Sequence, residues 1–280
     1  MPRFISEETR EKVCEFYKSK PMSFDEVVNE FGICRPKVSE ILKQNNIPIY
    51  TKNQLYNPNL KEDYFETIDT EEKAYFLGLL LTDGNVHIPP SGSCQRQASI
   101  SLCLDEKDQY MIERFKEVIK TDTEIIKDNR PQKSNTCTVA FRSDKMAEDL
   151  AKYGVVPRKS TNSYLPKIDP ELEHHMIRGI LDGDGSVQAR IDKTTGKFIH
   201  SVGFSGTERL MTDIRDNMVE KLDVNENSVY NYKDKQLSMI TWGAKDDIQS
   251  IYHNLYDDSN IHLSRKKEKF EEILEHYDLD

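Results

Sequence analysis

Two nine-residue segments of the sequence end in the same dipeptide, an aspartate followed by a glycine. They read FLGLLLTDG at residues 76–84 and IRGILDGDG at residues 177–185, so Asp83 and Asp184 lie 101 positions apart. A carboxylate at the C-terminal end of a helix meets the negative end of the helix dipole, and two such groups close together repel one another. A bound Mg²⁺ removes both costs, because it takes carboxylate, carbonyl and water oxygens. The pattern therefore predicts a Mg²⁺ site on the two aspartates; the simpler alternative is a pair of helix-ending Asp-Gly turns.

Both segments carry small residues that would let two helices approach closely. Gly78 and Thr82 are spaced i, i+4 on one helical face, as are Gly179 and Gly183. A glycine inside a helix costs roughly 1 kcal/mol relative to alanine. Close backbone contact between the two helices would offset that cost, as small-residue faces do elsewhere. We therefore expect the helices to cross and to bring their C-terminal aspartates together.

The elements that follow each aspartate match in order. We predict strands at 85–88 and 98–104, a helix at 107–120, strands at 123–127 and 136–142, and a helix at 145–153. After the second aspartate the same order gives 186–191, 198–205, 208–221, 228–233, 237–242 and 245–256, and a helix at 265–276 ends the chain. The prediction is an α+β fold with two pseudo-symmetric halves, each helix-strand-strand-helix-strand-strand-helix.

The two segments resemble the paired LAGLIDADG motifs of homing endonucleases, and the resemblance covers residues 64–270. The residues leading into the first segment, Tyr64 to Tyr75, are also similar to that family. The first motif departs from the pattern at Leu81 and Thr82, whereas the second is closer to it. The resemblance implies a site-specific, Mg²⁺-dependent endonuclease that acts as a monomer on double-stranded DNA, with each aspartate serving one strand.

The resemblance also implies further members of the site. Carbonyl groups next to the aspartates, those of Thr82 and Gly183, would touch the metal. Lys159 and Lys266 match the basic residues that assist catalysis from the end of each half. A lone lysine is more commonly a solvated surface group, and that alternative stays open for both.

One face of the predicted strands is rich in amide and hydroxyl groups. Along each strand, apolar residues (Val86, Ile88, Val187, Ala189 and Ile191) alternate with polar ones, so the two kinds of side chain point to opposite faces. Polar groups of this kind suit readout of base edges, so we predict that the strands lie on DNA. The candidate contacts are Asn85, His87, Gln97, Ser99, Gln188 and Arg190. A sheet with one solvated face would show the same alternation.

The first 45 residues predict a helix-turn-helix module. Ser6 and Ser23 would cap two helices, Gly32 would supply the turn, and Pro36 would stand in the first turn of a third helix. That helix would enter the major groove and present Arg35, Ser39 and Lys43 to DNA. A small protein-binding three-helix bundle is the alternative. Residues 46–66 are expected to form a linker, with Lys52 as a further DNA contact, followed by halves at 67–165 and 166–280.

Composition limits the classes of function. A net charge of −10 does not favour a nucleic-acid binder, because phosphate contacts need Lys and Arg. It leaves open a catalytically inactive DNA- or RNA-binding protein on the same scaffold, such as a regulator or an intron-splicing helper, and also a protein-binding regulator. Five scattered cysteines argue for a reducing, intracellular (cytoplasmic) location and against zinc. The histidines lack metal spacing, and we expect His174 and His175 on a helix surface.

Overall fold

The computed structural model describes residues 5–20, 22–50, 57–90, 97–130, 134–232 and 237–279. The chain divides into two compact units. The first contains Met1–Lys61 with Lys120–Asp122, and the second contains Glu62–Ile119 with Thr123–Asp280. Among the described residues, no helix is long and apolar enough to cross a membrane.

The first unit contains three short helices, α1 (Glu7–Ser19), α2 (Phe24–Phe31) and α3 (Arg35–Gln44). The caps that the sequence predicts are present: the Ser6 hydroxyl accepts the amide of Thr9, and Ser23 forms a capping box with Glu26. Gly32 ends α2 with φ +64°, the left-handed conformation that glycine adopts at little cost. Buried residues from all three helices form one core: Val13, Tyr17, Val27, Val38, Ile41 and Leu42.

The second unit repeats one order of elements, as predicted. The first half contains α4 (Glu71–Thr82), β1 (Gly84–His87), β2 (Ser99–Asp105), α5 (Gln109–Ile119), β3 (Ile126–Asp128), β4 (Thr136–Arg142) and α6 (Asp144–Lys152). The second half contains α7 (Glu173–Asp184), β5 (Ser186–Ile191), β6 (Phe198–Gly206), α8 (Glu208–Leu222), β7 (Tyr230–Asn231), β8 (Ser238–Trp242) and α9 (Lys245–Tyr256). A last helix, α10 (Ser264–His276), follows.

Each half carries an antiparallel sheet of the same topology. Within the described residues the strand orders are β1-β2-β4-β3 and β5-β6-β8-β7. The inward faces of β2 and β4 bury Ile100, Leu102, Val139 and Phe141, while the opposite face is partly exposed. The fold is therefore the α+β arrangement of two similar halves that the repeat predicts.

Two of the edge strands, β3 and β7, are shorter than the sequence predicts. β3 and β7 cover Ile126–Asp128 and Tyr230–Asn231 instead of 123–127 and 228–233, of which residue 233 lies outside the described residues. Among the residues described, each of the two pairs with a neighbour on one side only, so fewer ladder hydrogen bonds hold its ends. Two apolar side chains expected on the core face, Ile88 and Ile191, are 60% and 67% exposed because they lie at or beyond the strand ends.

Candidate active site

Helices α4 and α7 pack through their backbones. A Cβ added to Gly78 would lie 2.1 Å from the carbonyl oxygen of Met176, and one added to Gly179 would lie 2.2 Å from that of Tyr75. Neither position has room for a side chain. The close contact expected from the small residues is therefore observed, and it explains why each helix carries a glycine in its interior.

The C-terminal ends of these helices bring the two motifs together. A Cβ on Gly183 would lie 2.0 Å from Oγ1 of Thr82 and 2.6 Å from Oδ2 of Asp83. Burial, and then the nearby carboxylate of Asp184, raise the pKa of Asp83 to about 6. Asp184 is more exposed, but partial loss of water raises its pKa too, against the lowering effect of Lys159 and Lys266. The two carboxylates thus share one site in which their negative charge is costly.

Both lysines singled out in the sequence reach this site. Nζ of Lys159 donates to the carbonyl oxygens of Thr82, at 3.1 Å, and Gly84. Nζ of Lys266 donates to the carbonyls of Leu181, Gly183 (3.2 Å) and Gly185 (2.7 Å). These carbonyls lie at or just beyond the helix ends, where carbonyls commonly lack an intrahelical partner, although that of Leu181 also accepts the amide of Gly185. A cation there complements the helix dipole.

Burial lowers the pKa of both lysines, and that of Lys266 falls to about 8. Lys266 is only 4% exposed, whereas Lys159 is partly exposed. Neither lysine is a solvated surface group, which was the alternative left open by the sequence.

The donors at the site fit a hard divalent cation. Two carboxylates and the adjacent carbonyls of Thr82 and Gly183 supply the oxygen ligands that Mg²⁺ prefers. A carbonyl has two lone pairs, so one can accept from a lysine and still face a cation. A cation would also offset the loss of water and the repulsion by Asp184, which together raise the pKa of Asp83.

The candidate strand residues lie on the partly exposed face of each sheet. Asn85 and His87 are exposed on β1, and register places them opposite Ser101 and Ser99 of β2. Gln188 and Arg190 are exposed on β5, while Gln97 is half-buried just before β2. The same alternation also places residues on this face that sequence reasoning missed, among them Thr136, Thr138, Arg142 and Thr241.

The candidate DNA contacts of the first unit differ in their exposure and in whether the side chain is already ion-paired. Nε and Nη2 of Arg35 donate to the two carboxylate oxygens of Asp25, so Arg35 is already ion-paired. That pairing uses one edge of the guanidinium and leaves the Nη1/Nη2 edge for another acceptor. Ser39 is half-buried and Lys43 is exposed. Lys52 lies outside the described residues.

A second group of potential metal ligands proves to be structural. His174, His175 and Asp258 lie together, with Nε2 of His174 3.2 Å from the carboxylate. Arg178 donates to Nδ1 of His175 at 2.9 Å, so the neutral ring carries its proton on Nε2 and offers no lone pair there to a metal. Burial and Arg178 lower the pKa of His175 to about 4. The expectation that His175 is on the surface is wrong, because its ring is buried against this arginine.

No protein-family model matches the chain, and no curated protein matches it. Solved structures do match. The LAGLIDADG homing endonuclease I-SmaMI bound to cleaved DNA aligns with a TM-score of 0.52 at 14% identity, covering 76% of this chain and 91% of that one. I-SmaMI bound to an uncleaved DNA target in the presence of calcium ions gives 0.51 at 13% identity, covering 75% and 93%.

The LAGLIDADG meganuclease I-AabMI bound to uncleaved DNA aligns with a TM-score of 0.52 at 11% identity, covering 73% of this chain and 89% of that one. At such identities the likeness concerns the fold. This chain has the two-half α+β fold of the LAGLIDADG endonucleases.

Proposed function

We propose that this protein is a site-specific, Mg²⁺-dependent endonuclease of the homing type that cuts both strands of double-stranded DNA as a monomer. The observation that carries the proposal is the paired site at the ends of α4 and α7. The charge of Asp184 raises the pKa of Asp83 there, and each helix end is contacted by a lysine from its own half. The neighbours of the same fold were solved on DNA.

Each part of the site has a role in phosphodiester hydrolysis. Asp83 and Asp184, with the carbonyls of Thr82 and Gly183, would hold Mg²⁺. When bound, the ion lowers the pKa of water and stabilises negative charge on the attacked phosphate. Lys159 and Lys266 hold the helix-end carbonyls in place and supply positive charge beside the phosphate. On the basis of the two similar halves, we assign one aspartate and one lysine to each DNA strand.

The exposed sheet faces would supply specificity. We assign base-edge contacts to the candidate residues on those faces: Asn85, His87, Gln97, Ser99, Gln188 and Arg190. In the first unit, Arg35, Ser39 and Lys43 would contact DNA from α3, and Lys52 would follow it along the chain.

A second candidate is a catalytically inactive DNA- or RNA-binding protein on the same fold. The net charge of −10 favours it, because an acidic protein gains little from phosphate contacts. The paired aspartates favour the enzyme, because their mutual repulsion serves no purpose in a protein that only binds.

Selection of cleaved plasmids from a randomised target library, with Mg²⁺ and the full chain, tests the proposal. We expect linear products with one preferred sequence and none in EDTA. On that sequence, Asp184→Asn and Asp83→Asn should each abolish double-strand cutting, and each should leave a nick in the opposite strand. Asp216→Asn, an exposed aspartate on α8, is the matched control and should cut normally. Specific binding without cleavage would establish the inactive alternative.

A further inference from the structure

The second motif carries one more acid, Asp182, where the first motif has Leu81. Both side chains are buried, at 1% and 3% exposure. The Asp182 carboxylate accepts hydrogen bonds from the hydroxyls of Tyr75 (2.8 Å) and Tyr256 (3.2 Å) and from the amide of Leu263 (2.7 Å). Leu81 cannot accept a hydrogen bond, so the two halves differ at this position.

The amide held by Asp182 lies at the start of the helix that carries Lys266. In each half, the backbone amide of the site lysine donates a hydrogen bond to the carbonyl three residues earlier. The amide of Lys266 donates to Leu263, and that of Lys159 donates to Val156. Leu263 and Val156 are therefore equivalent positions. The amide of Leu263 is fixed by the motif helix through Asp182. Within the part of the chain that the structure describes, the amide of Val156 bonds only to its neighbour Gly154, at 3.1 Å.

A second set of hydrogen bonds holds the segment that leads into α10. Arg178 of α7 is fully buried and donates to the carbonyls of Ile261 (3.0 Å) and Leu255 (2.6 Å). It also pairs with Glu71 of α4, whose carboxylate accepts the amide of Asn260 at 2.7 Å. Both motif helices thus fix the chain leading into α10. A buried polar group with all its partners present restrains a segment strongly, because breaking any bond leaves an unsatisfied atom.

The two site lysines differ in their hydrogen bonds and in their exposure. Among the described residues, Lys266 donates to three helix-end carbonyls and Lys159 to two. Lys159 is also more exposed, and it follows Arg158, whose φ of +59° is an uncommon conformation for a residue with a side chain. The lysine of the second half-site is therefore held more firmly than that of the first.

We propose that Asp182 is a positioning residue for Lys266, and that the half-site of Asp184 and Lys266 is preorganised so that its DNA strand is cut first. The strand order rests on the proposed nuclease function, whereas the positioning role does not. A lysine already in place adds no ordering cost at the transition state, and small displacements of a catalytic group cost large factors in rate. The half-site of Asp83 and Lys159 becomes ordered only after DNA binds, so a nicked intermediate precedes the double-strand break.

Lysine acetylation in metal-free full-length protein, read by mass spectrometry, tests the positioning role. We expect Lys266 to react at least about ten-fold more slowly than Lys159 in the parent, because acetylation requires the buried amine to open to solvent. Asp182→Asn should raise the rate at Lys266 by about ten-fold and leave Lys159 unchanged. Asp247→Asn removes another buried carboxylate of the same half, one that accepts the amide of Asn225, and should change neither lysine. Equal acceleration of both lysines by Asp182→Asn, or of neither, overturns the role.

Strand-resolved cleavage of the selected target tests the order. The nicks left by Asp83→Asn and Asp184→Asn identify which strand belongs to which half. The parent should cut the Asp184 strand first, and Asp182→Asn should slow that strand by about ten-fold or more and leave the other within about two-fold. If that variant does not fold, Tyr75→Phe removes one donor to Asp182 and should give a smaller shift in the same direction. Simultaneous cutting, or the Asp83 strand first, overturns the order. A chain that cuts no target overturns the nuclease function, while the acetylation contrast still decides the positioning role.

Discussion

The carboxylates of Asp83 and Asp184 stand where three effects oppose their charge. They have lost water, they lie close to one another, and each ends a helix whose dipole is negative at that end. Two lysines offset part of this cost, but burial lowers their pKa values as well. Ionisable groups in surroundings that disfavour their charged form are characteristic of functional sites, because stability alone would favour neutral side chains.

The pKa of Asp83 leads to a prediction about stability in EDTA. An acid whose pKa is higher in the folded state (about 6 here, against 3.8) destabilises the fold when ionised. The cost is absent below about pH 4, grows as the pH rises through 6, and is then constant. Asp83→Asn should therefore be more stable than the parent at pH 8, by on the order of 1–2 kcal/mol, and equal to it near pH 4.

Urea unfolding at pH 4, 6 and 8 checks this prediction. Mg²⁺ at pH 8 should stabilise the parent and leave Asp83→Asn unchanged. Asp216→Asn should follow the parent at every pH and with Mg²⁺. An Asp83→Asn variant that is less stable than the parent at pH 8 would mean that this carboxylate serves to hold the turn.

At the scale of elements, the contact between α4 and α7 determines the geometry of the site. Gly78 and Gly179 let the backbones meet, so that Thr82 and Asp83 lie against Gly183. The helix-propensity cost of the glycines, roughly 1 kcal/mol each, is small beside the packing that their absent side chains allow. The spacing of the aspartates is thus a consequence of the glycines.

Gly78→Ala tests this dependence. In an isolated helix the change would stabilise by roughly 1 kcal/mol. Here the new Cβ would lie 2.1 Å from a backbone oxygen of Met176, which cannot rotate away, so we expect a loss of about 3 kcal/mol or more in the free energy of unfolding. Gly243→Ala, where a Cβ would meet nothing within 4 Å, is the control and should change stability by less than about 1 kcal/mol. A neutral Gly78→Ala variant in urea unfolding would show that the helices do not touch there.

The sequence predicted these elements better than it predicted their connections. Periodicity and repetition located α4, α7 and both sheets, because each pattern lies within one element or recurs at a fixed interval. The hydrogen bonds of Asp182 could not be predicted, since Tyr256 and Leu263 are distant in sequence and carry no motif. Likewise nothing near Arg178 indicates that it buries against His175. Exposed strand ends such as Ile191 were misassigned because alternation continues past the point where helices cover the sheet.

For the molecule as a whole, charge is the property that least suits the proposed function. Several cations of the first unit are neutralised locally: Arg35 by Asp25, Lys37 by Glu40 and Lys12 by Glu8. Such exposed pairs contribute little to stability, yet they reduce the positive potential around α3. Affinity for DNA should therefore depend on a few oriented contacts more than on net charge.

The two-unit organisation gives the last prediction. Deleting residues 1–45 removes α1, α2 and α3 with all the buried residues of their shared core except Ile47, and it removes no residue of the second unit. We expect the truncated chain to unfold cooperatively, as the parent does. Its affinity for the selected target should fall while the affinity of the remaining unit persists.

If Arg35 reads a guanine through its free Nη1/Nη2 edge, Arg35→Ala should account for roughly 1–3 kcal/mol of that loss and relax the base preference at one position. Lys43→Ala should weaken binding on all sequences and reduce the salt dependence by about one counterion. Gel-shift titrations at several salt concentrations separate the two effects, and an affinity unchanged by the deletion would assign the module to a protein partner instead.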